Sequence, residues 1–482
     1  MSFYQGRRLL PQRFRLILLS VMQVSGLPFS DVLTEEEIED AFDEQESWFA
    51  QEDGDVFTPP VTLWGFLSQV LHKEELRSCL AAVSRVSVLM VALGREPCAQ
   101  NNGAYCKARA KLPEIVIERL ATRMADRCEQ KVPDDWLWKG RHHVKMADGT
   151  TVGMADTPEN QEVYPQQASQ QEGLGSPVAR MVVLMSLATA MTCGMEMGPY
   201  TGKETGELAL LRQLLDHLDP NDILLTDRYF CSFFMIATLL ERNVQFVARL
   251  HHARKEDVYR VKRLDKRSCL VEWPRPDKPD WMDEETYNQM PESITLRQIE
   301  VKVEEPGCRV KSFVVVTTLT DTKEYSNDDI AQLYHKRWHV ELDIRAIKCT
   351  LGMDVLRCKT PEMVRKEIWT CLLAYNLIRR TMVQAAKKTG LSPRQLSFTN
   401  ALQNMAASWV ILPTLDKPTM TSMINTQIES LASQLVGKPT RANRVEPRAV
   451  KRRPKPHRLL TMPREEAREL LRSGVDLYGK QN

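Results

Sequence analysis

Residues 143–148, HVKMAD, and residues 222–227, DILLTD, are short apolar runs that each end in an aspartate. The second run is followed by the helical pattern SFFMIATLLER at 232–242. Short strand-like runs that alternate with helical segments are typical of an α/β fold. Because open α/β sheets place ligand sites beyond the carboxyl ends of their strands, Asp148 and Asp227 are candidate site residues.

A predicted helix further along the chain carries a third acid, Glu341. Ser326 and Asp329 fit a capping box at its start, and Gly352 is a stop signal at its end. At 100° per residue, its polar face holds Tyr334, Arg337, Glu341, Arg345 and Lys348. An apolar stripe lies beside that face and consists of Leu333, Val340, Ile344, Ile347 and Leu351. We therefore expect the helix to pack on the core with Glu341 near the two aspartates.

Three convergent carboxylates repel one another and need cations between them. Oxygen-only ligands favour Mg²⁺ or Mn²⁺, and two such ions activate a nucleophile and stabilise a leaving oxygen in phosphoryl transfer. Arg337 and Lys348 are positioned to bind scissile-strand phosphates, and Tyr334 to donate to a phosphate oxygen. Asp343 falls on the opposite side of the helical wheel, so its loss is expected to be tolerated.

Composition indicates a globular protein that works in a reducing cytoplasm. The chain has 482 residues, of which 43% are hydrophobic, and no apolar run approaches the roughly 20 residues that span a bilayer. Its 11 cysteines form no CxxC pair, which argues against a disulfide framework or a zinc ribbon.

The net charge of +2 hides an uneven distribution of charge. Residues 35–55 hold eleven acids and no base, so the rest of the chain carries +13. Residues 438–458 hold nine Lys or Arg and one Glu among four prolines. This basic tail either neutralises nucleic-acid phosphates or is a solvated terminus.

Composition and pattern divide the chain into five regions. A helical region that we expect to bind DNA ends is followed by the first part of a catalytic core, a β-rich insertion, the second part of the core, and a helical C-terminal region with the basic tail. Their bounds are 1–135, 136–250, 251–321, 322–385 and 386–482.

The spacing Tyr334-x2-Arg337-x3-Glu341-x6-Lys348 resembles the YREK signature of DDE transposases of the insertion sequence four family. ADGTTVGMADTPENQ from Ala147 and LLTDRYF around Asp227 are similar to the segments that carry the first two acids in that family. The resemblance is clearest from about 140 to 380.

The resemblance implies an RNase H-like core in which Asp148, Asp227 and Glu341 are the catalytic metal ligands. It also implies cleavage at the terminal inverted repeats of a bacterial transposon, followed by strand transfer into target DNA by a homodimer. Some relatives stack a flipped base on an aromatic residue of the β insertion. Phe313 is the candidate for that role here, with Trp273 and Trp281 as weaker ones.

Two other functions remain open on sequence grounds. An RNase H-like nuclease would cut DNA without strand transfer, and a transposase without activity would only bind DNA. The intact set of acids and signature residues favours the active enzyme.

Overall fold

A computed structural model describes residues 42, 49–50, 55–251, 260–302, 312–436 and 461–475. These residues form a nine-stranded mixed sheet flanked by helices, which confirms the predicted α/β class. The basic tail and most of the acidic block at 35–55 lie outside the described residues.

The helices described ahead of the sheet are α1 (Pro59–Val70), α2 (Cys79–Ala92), α3 (Gly103–Lys111) and α4 (Glu114–Gln130). Pro59 and Pro60 occupy the first turn of α1, where a missing N–H costs no helical hydrogen bond. Every residue of α1 is buried, so this helix is the centre of the N-terminal packing.

The strands are β1 (Val144–Gly153), β2 (Val178–Ser186), β3 (Thr192–Pro199), β4 (Ile223–Thr226), β5 (Gln245–Arg249), β6 (Arg260–Arg263), β7 (Ser268–Pro274), β8 (Ser293–Lys302) and β9 (Ser312–Thr317). Their order in the sheet is β3-β2-β1-β4-β5-β9-β8-β7-β6. β1, β2 and β3 are antiparallel, whereas β1, β4 and β5 are parallel. The first five strands thus have the RNase H-like arrangement, and β6 to β9 extend the sheet beyond β5.

The remaining helices are α5 (Pro158–Val163), α6 (Glu207–Gln213), α7 (Phe233–Glu241), α8 (Glu284–Gln289), α9 (Asn327–Lys336), α10 (Trp338–Arg345), α11 (Pro361–Thr389), α12 (Phe398–Ser408), α13 (Lys417–Ser433) and α14 (Arg464–Arg472). The 29-residue α11 is buried over most of its length and packs against α1, α4 and α13. It therefore joins the N-terminal helices to the core.

Gly390 ends α11 in the left-handed conformation, with φ of 68°. A Cβ at this position would meet nothing within 4 Å, so alanine would cost only backbone strain. We expect Gly390→Ala to lower the free energy of unfolding by about 1–2 kcal/mol. Chemical denaturation against Lys388→Ala, a change in the same helical turn, measures this cost, and an unchanged midpoint would contradict it.

The helix predicted over the YREK residues is interrupted rather than continuous. Its capping box is present, with the Ser326 hydroxyl accepting from Asp329 N at 3.1 Å, and the predicted apolar stripe is buried. However, α9 and α10 meet at Arg337, and a π-helical turn, Ala346–Thr350, follows α10. In that turn the N–H of Leu351 reaches back five residues to the Ala346 carbonyl, which changes the direction of later side chains.

Side chains of the segment between α1 and α2 bind the end of this interrupted helix. The buried Arg77 guanidinium donates to the carbonyls of Leu351 at 3.3 Å and Gly352 at 2.7 Å, and it pairs with Glu367 at 3.1 Å. Lys73 Nζ donates to the Cys349 carbonyl at 2.8 Å. Cations at a helix C-terminus satisfy its unpaired carbonyls and favour its dipole.

Among the residues that the structure describes, no helix combines the length and the hydropathy needed to cross a membrane.

Candidate active site

Asp148 and Asp227 lie at the same level on adjacent central strands. β1 and β4 pair in parallel up to Ala147 and Thr226, so the next residue of each chain segment is an aspartate. Neighbouring strands are about 4.8 Å apart, which brings the two carboxylates close together. Asp227 follows the end of β4, as predicted. The prediction that Asp148 ends its strand was wrong, because β1 retains β2 as a partner and continues to Gly153.

Backbone N–H groups fix one oxygen of each aspartate. Asp148 Oδ1 accepts from Gly149 N at 3.0 Å, and Asp227 Oδ1 accepts from Tyr229 N at 2.7 Å. Asp227 thereby caps the short 3₁₀ turn Arg228–Phe230 that leads away from the sheet. Both carboxylates have defined orientations at the edge where the parallel strands end.

Glu341 is presented by α10, which packs against β1. Its Oε1 accepts a hydrogen bond from Arg337 Nη2 at 2.8 Å, and the two residues form an ion pair across one turn of the helix. Both side chains are partly buried, so the pair is shielded from solvent more than a surface salt bridge is.

The electrostatics of Asp148 link all three acids. The pKa of Asp148 is raised to about 7: burial contributes most to the rise, Arg337 acts to lower the pKa, and the charges of Asp227 and Glu341 act to raise it. A cation beside the three acids would relieve the repulsion that Asp227 and Glu341 exert on Asp148. The site therefore favours an added cation.

The donor set suits Mg²⁺ or Mn²⁺, which prefer carboxylate oxygens and water. Within the described residues, however, no three His, Cys, Asp or Glu side chains already form a metal-ligating cluster. The Arg337 guanidinium supplies the positive charge beside Glu341 instead. The chemistry of the three carboxylates thus fits the ion, although their side chains do not form a cluster in this arrangement.

Tyr334 and Phe313 pack on each other beside this site, with ring centroids 5.4 Å apart. The Arg249 guanidinium lies 5.3 Å from the Phe313 ring. Burial raises the pKa of Tyr334, and the charges of Arg337 and Asp227 also act on its hydroxyl. Tyr334 is therefore close to the acids, and Phe313 supports it from β9.

Lys348 lies in the π-helical turn that follows Arg345. Lys348 Nζ donates to Thr150 Oγ1 at 3.0 Å and to the Thr151 carbonyl at 2.6 Å, both on β1 just beyond Asp148. Arg345 is exposed to solvent. The structure brings Lys348 to the strand that carries the first acid and leaves Arg345 at the surface.

A third tryptophan is more exposed than the two that were considered from the sequence. Trp273 is 2% exposed, and Trp281 lies under the Arg212 guanidinium, which is 3.7 Å from its ring centroid. Trp338 is 59% exposed and lies beside Arg337, with the guanidinium 5.7 Å from its ring centroid. Trp338 was not among the candidates from the sequence, although the helical wheel places it on the same face as Arg345.

The surroundings of Asp343 argue against the expectation that its loss is tolerated. Asp343 is 2% exposed, and its two oxygens bind Arg379 and Arg394, each at 2.8 Å. Arg394 also donates to the carbonyls of Ser186 and Leu187, at the end of β2. The helical wheel gave the direction in which the Asp343 side chain points. It did not show that α11 and the turn after α11 cover that side chain.

Residues 140–377 match the sequence family described as the transposase DDE domain. The match spans the sheet, the two aspartates and the helix that carries Glu341. The chain carries the DDE domain of transposases. The family resemblance seen in the sequence is thereby confirmed, whereas the roles of the YREK residues remain predictions.

The transposase is similar to curated relatives from bacteria. It is 28% identical over 400 residues to the transposase InsG for insertion sequence element IS4 of Escherichia coli K12, covering 81% of this chain and 85% of InsG. It is 38% identical over 65 residues to the transposase for insertion sequence element IS421 of Escherichia coli, covering 14% of this chain and 18% of that relative.

A solved structure of the piggyBac transposase synaptic complex with hairpin DNA also aligns with the transposase. The alignment covers 89% of this chain and 87% of that chain, with a TM-score of 0.44 and 12% sequence identity.

Proposed function

We propose that this transposase cuts DNA at the terminal inverted repeats of a bacterial insertion sequence and joins the ends to target DNA. Asp148, Asp227 and Glu341 would hold two Mg²⁺ or Mn²⁺ ions. The observation that carries this proposal is the pairing of β1 with β4, which puts two carboxylates level with each other beneath the helix of Glu341.

Two divalent cations at these carboxylates would supply activation of a water or 3′-hydroxyl and stabilisation of the leaving oxygen. The protein's own groups would orient the DNA. Arg337 is suited to a two-pronged contact with a scissile-strand phosphate, and Tyr334 to donating its hydroxyl to a phosphate oxygen. Because Arg337 now pairs with Glu341, we expect phosphate binding to release Glu341 for its ligand role.

Lys348 holds the strand segment after Asp148, and the exposed Arg345 is free to approach the DNA backbone from the same helix. The transposase would work on DNA of the bacterial nucleoid in the cytoplasm, and as a homodimer that brings two ends together.

End cleavage and end joining separate this proposal from the alternatives. A supercoiled plasmid with two ends of the element would be incubated with the transposase and Mg²⁺, Mn²⁺ or EDTA. We expect metal-dependent cleavage at the ends and joined products in a target plasmid. Cleavage without joining would indicate a nuclease, and end binding without cleavage would indicate a DNA-binding protein.

Trp338 is our candidate for stacking on an unpaired base, in preference to the packed Phe313. We expect Trp338→Ala to change the free energy of unfolding by less than about 0.5 kcal/mol, because the side chain is exposed. Binding to an end with an unpaired base should weaken by about 1–3 kcal/mol, and binding to a fully paired end much less.

Fluorescence anisotropy with both DNAs measures this difference. Phe313→Ala is the comparison, and we expect it to act mainly on stability through the lost packing on Tyr334. A selective loss of unpaired-base binding in Phe313→Ala, but not in Trp338→Ala, would return the role to Phe313.

A further inference from the structure

The turn between α1 and α2, residues 73–77, is bound to the end of the interrupted helix that carries Glu341. Glu74 in this turn has a φ of 52°, a left-handed conformation that few residues other than glycine adopt. Such a conformation persists where the surrounding structure fixes it. Arg357, which follows the interrupted helix, donates from Nη1 to the Glu74 carbonyl at 2.8 Å. The turn is therefore shaped by its contact with the catalytic core.

The carbonyls at the end of the π-helical turn accept from two kinds of donor. The carbonyl of Lys348 accepts from the backbone N–H of Asp354 at 3.3 Å. Three later carbonyls, those of residues 349, 351 and 352, accept from the side chains of Lys73 and Arg77. Since the last carbonyls of a helix have no donor within the helix, the 73–77 turn completes the hydrogen bonding of this helix end.

The buried guanidinium of Arg77 binds two further parts of the core. Its Nη1 donates to carbonyls of the helix end, and its Nη2 pairs with Glu367 Oε1 on α11 at 3.1 Å. The second oxygen of Glu367 accepts from the backbone N–H groups of Arg357 and Cys358, each at 2.9 Å. One planar group thus fixes the helix end relative to α11 and to the segment that follows the helix.

Lys348 lies within the part of the helix that these contacts fix. Its Nζ binds two groups of β1 just beyond Asp148. The segment after the helix binds the same strand, because the Leu356 N–H donates to the Gly153 carbonyl at 2.9 Å. The part of β1 that follows Asp148 is therefore in contact with elements that Lys73 and Arg77 hold in place.

We propose that Lys73 and Arg77 are positioning residues for DNA cleavage, because they hold the π-helical turn in the conformation that places Lys348 on β1 beside Asp148. This inference rests on the proposed function, in which Asp148 binds the metal and Lys348 holds its strand. A displacement of about 1 Å near a reacting group can lower a rate by about 100-fold. A purely structural role would lower stability but leave the cleavage rate of folded molecules unchanged.

Single-turnover cleavage of end DNA by the full-length transposase in Mg²⁺ tests the proposal. We expect Arg77→Lys to reduce the rate constant by about 10–100-fold. An ammonium group cannot bind the carbonyls and Glu367 together in the way a guanidinium does. Affinity for the end DNA, measured by fluorescence anisotropy, should stay close to that of the wild type. A wild-type rate constant in Arg77→Lys would overturn the proposal.

Arg365→Lys is the matched control for Arg77→Lys. Arg365 also joins α11 to an N-terminal helix, because it pairs with Glu114 of α4 at 2.7 Å. Its contact does not involve the carbonyls of the π-helical turn. The control should cleave at the wild-type rate, and an equal loss in both variants would indicate a general effect of weakened helix packing, which contradicts the proposal.

Lys73 provides a second test that does not alter a buried group. Lys73 is exposed, and its Nζ makes one hydrogen bond to the Cys349 carbonyl. We expect Lys73→Met to slow cleavage by about 3–10-fold. Lys73→Arg should keep the wild-type rate, because its guanidinium can still donate to that carbonyl. Equal rates for these two variants would contradict the proposal, and the comparison decides the question if Arg77→Lys does not fold.

Lys348→Met distinguishes failure of this inference from failure of the proposed function. Its loss and that of Arg77→Lys should not add in the double variant, because both act through the same contact with β1. Additive losses, or a slow Lys348→Met with a wild-type rate in Arg77→Lys, refute this inference alone. A wild-type rate in Lys348→Met also refutes the role of Lys348 in the proposed function. Thermal melting checks that each variant is folded.

Discussion

Replacement of Asp343 by alanine is expected to lower the free energy of unfolding by about 3–5 kcal/mol. The carboxylate is buried and pairs with both Arg379 and Arg394. Its removal leaves two largely buried guanidinium groups without their counter-charge, and an unpaired buried charge is costly. Chemical denaturation followed by circular dichroism measures the loss.

Asp328→Ala is the control for Asp343, since both remove an aspartate from the same helical region. Asp328 is exposed and pairs with Arg267 at 2.9 Å on the surface. Exposed pairs contribute about 0–1 kcal/mol, so this change should have little effect. Equal losses in the two variants would contradict the account of the buried network.

Replacement of Glu341 by glutamine is expected to reduce end cleavage by about 10³-fold or more. The amide keeps the size of the side chain but loses the negative charge that a divalent ion requires. Folding should be preserved, because Glu341 is only partly buried and Arg337 keeps the nearby charge of Asp148. Gel analysis of plasmid cleavage in Mg²⁺ measures the rate.

Glu429→Gln provides the matched control for that loss. Glu429 is also a helical glutamate paired with a cation, Lys388 at 2.8 Å, but it lies on α13 at the surface. Its variant should cleave at the wild-type rate. Similar rates for Glu341→Gln and the wild type would exclude Glu341 from the reaction.

The sequence was sufficient for the fold class and for the identity of the candidate acids. Asp148 and Asp227 each follow an apolar run, and the spacing from Tyr334 to Lys348 is specific enough to identify a family. What these patterns do not contain is the pairing of strands. The level placement of the two aspartates depends on the register between β1 and β4, which is a long-range property.

The helical wheel was accurate for the apolar stripe and less so for the polar face. Local hydrogen bonds at Arg337 and in the π-helical turn change the angle between successive side chains around the helix axis. Lys348 therefore reaches β1, while Arg345 faces solvent. A wheel also assigns no partner to a residue that faces away from the sheet. For that reason the wheel gave no sign that Arg379 of α11 pairs with Asp343.

The most direct test of the three-carboxylate site is a crystal structure of the transposase bound to its end DNA with Mn²⁺, using anomalous scattering at the manganese edge. The account predicts two manganese peaks roughly 3.5–4 Å apart, held by Asp148, Asp227 and Glu341, with Arg337 moved from Glu341 to a DNA phosphate. Manganese bound elsewhere, with the Arg337–Glu341 pair intact beside the DNA, would contradict it.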